Sequence, residues 1–183
     1  MKQFIICPKC GMPAIASVKT ISGIAAPFNK SFTFECVYCF LNGFETDTQP
    51  MKAFSVRQPW AYLICAGIKP IENRTWKLPE KHKGERVLIH ASAKRYDINK
   101  IFTNNQWKMM GEKNRVECVV SDSPTSAIIG SVEIVNCVKN HPSIWVEPDC
   151  WNWVLADPVL FEKPILNVKG RLSFFVPEIP DDI

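Results

Sequence analysis

Two Cys-x-x-Cys pairs carry the strongest chemical signal in the sequence. Cys7 and Cys10 form the first pair, and Cys36 and Cys39 form the second, with 25 residues between the pairs. Each pair can place two thiolates on one ion, so together they complete the closed tetrahedral shell of a structural zinc site. Because all four ligands are sulfur, no coordination position stays open for catalysis. The sequence therefore predicts one structural zinc ion as cofactor.

Three other chemistries remain open for these four cysteines: a redox dithiol, disulfides, or four unrelated buried thiols. A redox motif needs one active pair near a βαβ pattern, whereas these pairs lie in a short segment rich in β-forming residues. The sequence has no recognisable secretory signal, which favours a reducing compartment and metal binding over disulfides. We therefore expect a cytoplasmic protein.

Positive charge is concentrated in the middle of the chain. The formal net charge is only +4, but it is +1 over residues 1–51, +9 over 52–115 and −6 over 116–183. A block of this kind is suited to phosphates, because each neutralised phosphate releases counterions. A solvated lysine-rich face is the alternative. No stretch approaches the roughly 18 apolar residues of a membrane helix, so we expect no membrane partner.

Composition divides the chain into two units. Residues 1–49 are rich in Cys, Gly, Pro and β-branched residues, with predicted strands at 14–18 and 31–36. The polar run 45–50 ends on Pro50 and is typical of a linker. The sequence thus predicts a domain over 1–49 and a second over 51–183.

The sequence of the second unit predicts strands separated by short helices. Pro59 opens a short helix that should end at Gly67, because Pro is favoured early in helices and Gly late. Strict alternation along a strand over 71–76 would put Glu72 and Arg74 on one face. Further strands are predicted at 52–56, 87–91, 127–138, 151–155 and 171–176, a weakly bounded helix between 96 and 110, and an irregular excursion over 111–126. This pattern predicts a mixed α+β or small-barrel domain.

An ordered set of motifs in this unit resembles the signature of ASCH (activating-signal-cointegrator homology) domains. The Gln58-Pro59-Trp60 helix start is followed by Gly67, Lys69, Glu72 and Arg74, the positions of a Gly-x-Lys-x-x-Glu-x-Arg run. The stretches 88–92, 130–134, 153–158 and 169–174 add to the resemblance. The resemblance implies an α+β fold: a PUA-like β-barrel with short helices and a cleft beside the first helix. The small β-rich zinc ribbon predicted from the cysteine pairs would precede this domain. The resemblance also implies recognition of RNA or a nucleotide.

The side chains of the motif are compatible with such a ligand. Cations can meet phosphates, Glu72 and Gln58 can hydrogen-bond a base edge, and tryptophans can stack on a base. We expect the ligand site to include Arg57, Gln58, Trp60, Lys69, Glu72, Arg74, His90 and Trp153, with Trp76 as a further stacking candidate. Ordinary alternatives remain for several of these: a structural Glu72–Arg74 ion pair, a core position for Trp60, and a buried, satisfied His90.

The expected function is binding of nucleic acid, with RNA favoured, or of a modified nucleotide. The first alternative is a hydrolase, because one branch of the resembled family looks like amidohydrolases acting on acetylcytidine through the motif lysine, and ribonuclease activity is also associated with the family. Lysine is present as Lys69, but Glu72 stands where that branch has threonine, and Glu133 is a candidate for its glutamate only by location. The second alternative is an adaptor that contacts a protein partner through the zinc ribbon.

Overall fold

The computed structural model describes residues 2–7, 10, 12–20, 30–36, 41–46, 50–111 and 121–180. The first part forms a four-stranded antiparallel sheet whose strands pair in chain order. These strands are β1 (Lys2–Ile6), β2 (Pro13–Thr20), β3 (Lys30–Cys36) and β4 (Leu41–Thr46). The predicted strands at 14–18 and 31–36 lie within β2 and β3.

The second part is built on a six-stranded sheet with order β10-β5-β7-β8-β9-β6. Its strands are β5 (Ala53–Gln58), β6 (Ile71–Arg74), β7 (Glu85–Arg95), β8 (Ala127–Val138), β9 (Trp151–Ile165) and β10 (Phe174–Phe175). The fully described helices are short: α1 (Trp60–Cys65), α2 (Ile98–Ile101), α3 (Asn104–Met110) and a 3₁₀ turn (Glu80–His82). The prediction of a sheet-dominated α+β fold is confirmed. No helix in the described ranges is long and apolar enough to cross a membrane.

This sheet curls until its two edges approach each other. The Phe174 ring of edge strand β10 stacks on Trp153 of β9, although three strands separate β10 from β9 in the sheet order. Arg74, at the end of the other edge strand β6, donates a hydrogen bond to the Ser55 carbonyl of β5 at 2.8 Å. Within the described residues no backbone ladder joins β6 to β10, so the sheet encloses its core without closing as a barrel.

Some of the helix and strand boundaries predicted from the sequence agree with the structure, and others differ. Helix α1 follows Pro59, and Gly67 adopts the left-handed φ of +76° just beyond it, as predicted. The predicted helix over 96–110 is two helices, because Phe102 is extended and Thr103 begins α3 with a capping box. The predicted strand over 171–176 shrinks to two residues, since Ser173 has a φ of +59° and interrupts the extended backbone. Residues 112–120 of the expected excursion lie outside the described ranges.

Two large apolar clusters lie among the described residues of the second unit, and β1 contributes to one of them. The larger cluster lies between the curled sheet and α1, with Trp153 and Ile64 among its buried residues. In the other, Phe4 packs with Met51, Ala53 and Leu88. The Met51 amide also donates to the Phe4 carbonyl at 2.7 Å. Strand β1 is therefore attached to the second unit by packing as well as by chain connection.

Candidate functional site

The motif residues Lys69, Glu72 and Arg74 form a connected ion network. The Lys69 ammonium donates to one Glu72 carboxylate oxygen at 3.1 Å and to the Ile71 carbonyl at 2.6 Å. The other Glu72 oxygen accepts from Arg74 at 3.1 Å. Strand alternation predicted that Glu72 and Arg74 share a face, and their contact confirms it. The structural ion pair considered from the sequence is thus formed.

Two members of this network, Lys69 and Glu72, are buried, and Arg74 is half-buried. Lys69 is 2% exposed and Glu72 7%, and the Lys69 ammonium also lies 5.6 Å from the centre of the Trp60 ring. The Arg74 guanidinium lies over the Phe54 and Trp153 rings at 5.3 and 5.5 Å. In this arrangement the Glu72 carboxylate neutralises the Lys69 and Arg74 cations. Lys69 could act as a nucleophile only if its amine became accessible to a substrate.

The predicted stacking residues are packed against other aromatic rings. Trp153 is fully buried in the larger core cluster, where it contacts Trp76 at 4.7 Å between ring centres. Trp60 packs edge to face against Phe102 and Trp145. A base could stack on Trp153 only after the core had opened.

Two further predicted site residues, Gln58 and Glu133, do not contact the Lys69 network in the hydrogen bonds and ion pairs of the described residues. Gln58 is 1% exposed, donates to the Pro124 carbonyl at 2.9 Å and accepts from the Tyr62 amide of α1 at 3.0 Å. Glu133 lies on β8, opposite Arg86 of β7. Among the described residues, neither a hydrogen bond nor an ion pair joins Glu133 to Lys69.

A basic cavity of about 850 Å³ lies at the ends of the parallel strands β5 and β7. The predicted residues Arg57 and His90 line it, whereas Lys69, Glu72, Arg74, Gln58 and Glu133 do not. Sequence reasoning missed the other cations that line it, although Lys94 follows the motif 88–92 closely and Lys169 and Arg171 lie within the motif 169–174. The principal polar lining residues are Ser55, Arg57, His90, Lys94, Lys169 and Arg171.

The charge of this cavity is positive. Arg57, Lys94, Lys169 and Arg171 are exposed cations, and no carboxylate belongs to the lining. Arg171 pairs with Glu178 at the surface. Within the described part of the chain no carboxylate pairs with the other three cations. Exposed cations of one sign around a concave surface concentrate an electric field that attracts anions.

His90 forms the floor of the cavity. It is 1% exposed, and its Nε2 lies 2.9 Å from the Val168 carbonyl, which can only accept, so Nε2 carries the proton. Its Nδ1 lies 3.0 Å from the Ser55 hydroxyl, whose single proton can be donated either to Nδ1 or to the Arg171 carbonyl at 3.2 Å. Burial lowers the pKa of His90 below its ordinary value, against the smaller opposing effect of the bond to Val168. The buried, satisfied histidine considered from the sequence is the state found.

Gly170 allows the loop before β10 to lie directly on this floor. A Cβ at this position would be 2.5 Å from Cε1 of His90 and 2.9 Å from Nδ1. The close backbone approach brings Lys169 and Arg171 to the same rim as Arg57. The register of the parallel pair places Ser55 opposite His90, so the residues that follow on each strand, Arg57 and Lys94, reach the rim together.

Three of the predicted zinc ligands, Cys7, Cys10 and Cys36, lie among the described residues of the N-terminal part. Strand β1 ends just before Cys7, whose amide donates to the Met12 carbonyl at 2.8 Å, and β3 ends at Cys36. Both strands flank β2 and run antiparallel to it, so the last residues of β1 and β3 lie at the same end of the sheet. This placement fits a shared ion. Cys39 lies outside the described residues, and among the described ones no group of three ligand-type side chains is within reach of one metal.

Comparison with known proteins is consistent with the resemblance noted in the sequence. Residues 54–164, more than half of the chain, match the ASCH domain family. The chain belongs to that family. It is similar to activating signal cointegrator 1 of Homo sapiens and Mus musculus, with 33% and 32% identity over 85 residues. The match covers 46% of this chain but only 14% of each relative, so the chain corresponds to a small part of those proteins.

Proposed function

We propose that this protein binds nucleic acid through the basic cavity of a PUA-like ASCH domain. The observation that carries the proposal is the convergence of four cations, Arg57, Lys94, Lys169 and Arg171, around a concavity without carboxylates. Its volume of about 850 Å³ lies within the range typical of ligand sites. Phosphate contacts by lysine and arginine supply most of the sequence-independent affinity of nucleic-acid-binding proteins.

RNA is the favoured ligand because the floor of the cavity offers hydroxyl and amide groups beside the cations. Ser55, Ser92, Ser126 and Asn167 line it. Such groups can exchange hydrogen bonds with a ribose 2′-hydroxyl, which is the group that distinguishes RNA from DNA at a given site. A free nucleotide would use the same chemistry with fewer phosphates, and would therefore depend less on salt.

Fluorescence anisotropy with a labelled RNA tests the proposal. For single strands, the slope of log affinity against log salt is about −0.7 per phosphate contacted. Four cations should therefore give a slope of about −2.8, or about a 50-fold loss of affinity between about 50 and 200 mM salt. An equivalent DNA strand measured alongside tests the preference for RNA.

Two lysine substitutions provide a matched comparison. Lys169→Gln removes one rim charge and should reduce the slope by about 0.7. Lys108→Gln removes one charge from the exposed side of α3, away from the cavity, and should leave the slope unchanged. Absence of binding at low salt, a salt-independent affinity, or equal effects of the two substitutions would contradict the proposal.

A hydrolase that works through Lys69 has less support. The amine is 2% exposed and already bonded to Glu72 and the Ile71 carbonyl. A lysine nucleophile must reach its substrate, and this network would first have to break.

We further propose that Cys7, Cys10, Cys36 and Cys39 hold a structural zinc ion that stabilises a ribbon domain over 1–49, followed by the ASCH domain over 51–183. The proposal is supported by the pairing of β1 and β3 with β2, which brings the end of β1, just before Cys7, and the end of β3, at Cys36, to the same end of the sheet. Zinc bound there would have a structural role, because four thiolates leave no position for a substrate. A protein partner could dock on this ribbon.

A further inference from the structure

Tyr96 is an exposed aromatic residue directly beside the basic cavity. The residue is 39% exposed, and the Arg57 guanidinium lies 5.1 Å from the centre of its ring. Arg57 lines the cavity, so this pair connects the cation rim to a ring outside it. Arginine planes and tyrosine rings are the groups on which proteins stack unpaired bases.

The backbone beneath this pair is firmly held. The Tyr96 amide donates to the Gln58 carbonyl at 2.8 Å, next to the register pair Gln58 and Arg95 of strands β5 and β7. Arg95 donates to the carbonyls of Ser121 and Ser123 at 2.6 and 2.9 Å. A ring mounted on rigid elements loses little conformational freedom when a base stacks on it.

A second, smaller pocket of about 160 Å³ adjoins the ring. Engineered cavities of about 150 Å³ hold one benzene molecule, so there is room for one planar ring. Its lining is less basic than that of the cavity, since Asp97 and the apolar Pro59 and Ile98 accompany Arg95. Asp97 disfavours a phosphate at this point and can accept from the amino group of a base.

We propose that Arg57, Tyr96 and the smaller pocket form a subsite for one unpaired base, and that the ligand is therefore single-stranded RNA or an unpaired RNA segment. The inference rests on the proposed nucleic-acid function of the cavity and specifies its ligand. In a duplex each base face is covered by its neighbours, so Tyr96 would have no face to stack on. A single strand can place its phosphates along the rim and turn one base onto Tyr96.

Binding of a labelled, unstructured RNA of roughly 12 nucleotides, a length within the range of single-strand site sizes, should be compared with binding of its blunt duplex, using the full chain. The single strand should bind more tightly than the duplex. Tyr96→Ala should weaken single-strand binding about 5- to 150-fold, the range for losing one stacked base, and should leave duplex binding nearly unchanged. Tyr96→Phe keeps the ring and should retain the affinity.

Controls separate this inference from the function it depends on. Met109→Ala removes another exposed apolar side chain, on α3, and should change neither affinity. Thermal melting of Tyr96→Ala checks that the fold is retained. If Lys169→Gln weakens binding but the duplex binds as well as the single strand, or Tyr96→Ala has no effect on the single strand, the base subsite is wrong and the proposed function stands. If neither RNA binds at low salt, both are wrong.

Discussion

Replacing Glu72 by glutamine should unfold the ASCH domain at a much lower temperature while leaving RNA affinity nearly unchanged. Glutamine preserves the volume of the side chain but removes the charge that Lys69 and Arg74 share at 3.1 Å each. Two cations then face each other without an anion, one of them with a side chain 2% exposed.

The expected size follows from that burial. Removing one partner of a buried ion pair costs about 3–5 kcal/mol, because the remaining charge stays desolvated. An exposed pair would cost about 0–1 kcal/mol. For a chain of this size each kcal/mol lowers the melting temperature by about 2–4 °C, so we expect a decrease of roughly 6–20 °C.

A double-mutant cycle identifies the cause. Lys69→Met removes a cation yet leaves Glu72 paired with Arg74, so this change alone should destabilise less. The double variant, Lys69→Met with Glu72→Gln, should be more stable than the sum of the single effects by about 0.5–3 kcal/mol. Denaturant unfolding gives the free energies, and anisotropy measured below all melting temperatures gives the RNA affinity.

A Glu72→Gln variant that melts like the wild-type protein would contradict this prediction. So would a loss of RNA affinity without a loss of stability in both Glu72→Gln and Lys69→Met. That outcome would return Lys69, Glu72 and Arg74 to the ligand site predicted from the sequence. Lys169→Gln is the converse control, since this exposed rim lysine should lose affinity and keep its melting temperature.

Three further predictions concern the cavity floor and the ribbon. Gly170→Ala should cost roughly 1–3 kcal/mol in denaturant unfolding, because its Cβ would overlap His90, and an unchanged midpoint would mean that the loop moves freely. Burial lowers the pKa of His90 below its ordinary value of 6.5, so the stability contributed by the neutral ring is complete above pH 6.5 and is lost as the pH falls further. The melting temperature should therefore decrease between about pH 7.5 and 5.5, and His90→Gln should make that decrease smaller. Metal analysis should find one zinc per chain, and Cys36→Ser should release it and unfold residues 1–49 preferentially; less than half an equivalent of metal in the wild-type protein would contradict the site.

Local sequence was sufficient wherever a structural feature depends on neighbours along the chain. The strand predicted over 127–138 is β8 with the same bounds, and α1 lies between Pro59 and Gly67. The ordered motifs sufficed to recognise the ASCH domain, which the family match confirms over 54–164. Alternation alone brought Glu72 and Arg74 to one face.

Which charges are available to a ligand depends on how distant parts of the chain pack together. Burial of Lys69 and Glu72 depends on Trp60 and the curled sheet packing over them, which no local pattern specifies. The basic cavity likewise combines Arg57 and Lys94 from the positive middle of the chain with Lys169 and Arg171 from a segment whose net charge is negative. The net charge of that segment gives no sign of Lys169 and Arg171, because its acidic residues outnumber them. The parallel pairing of β5 with β7 and the Gly170 loop lying on His90 place all four cations around one concave surface.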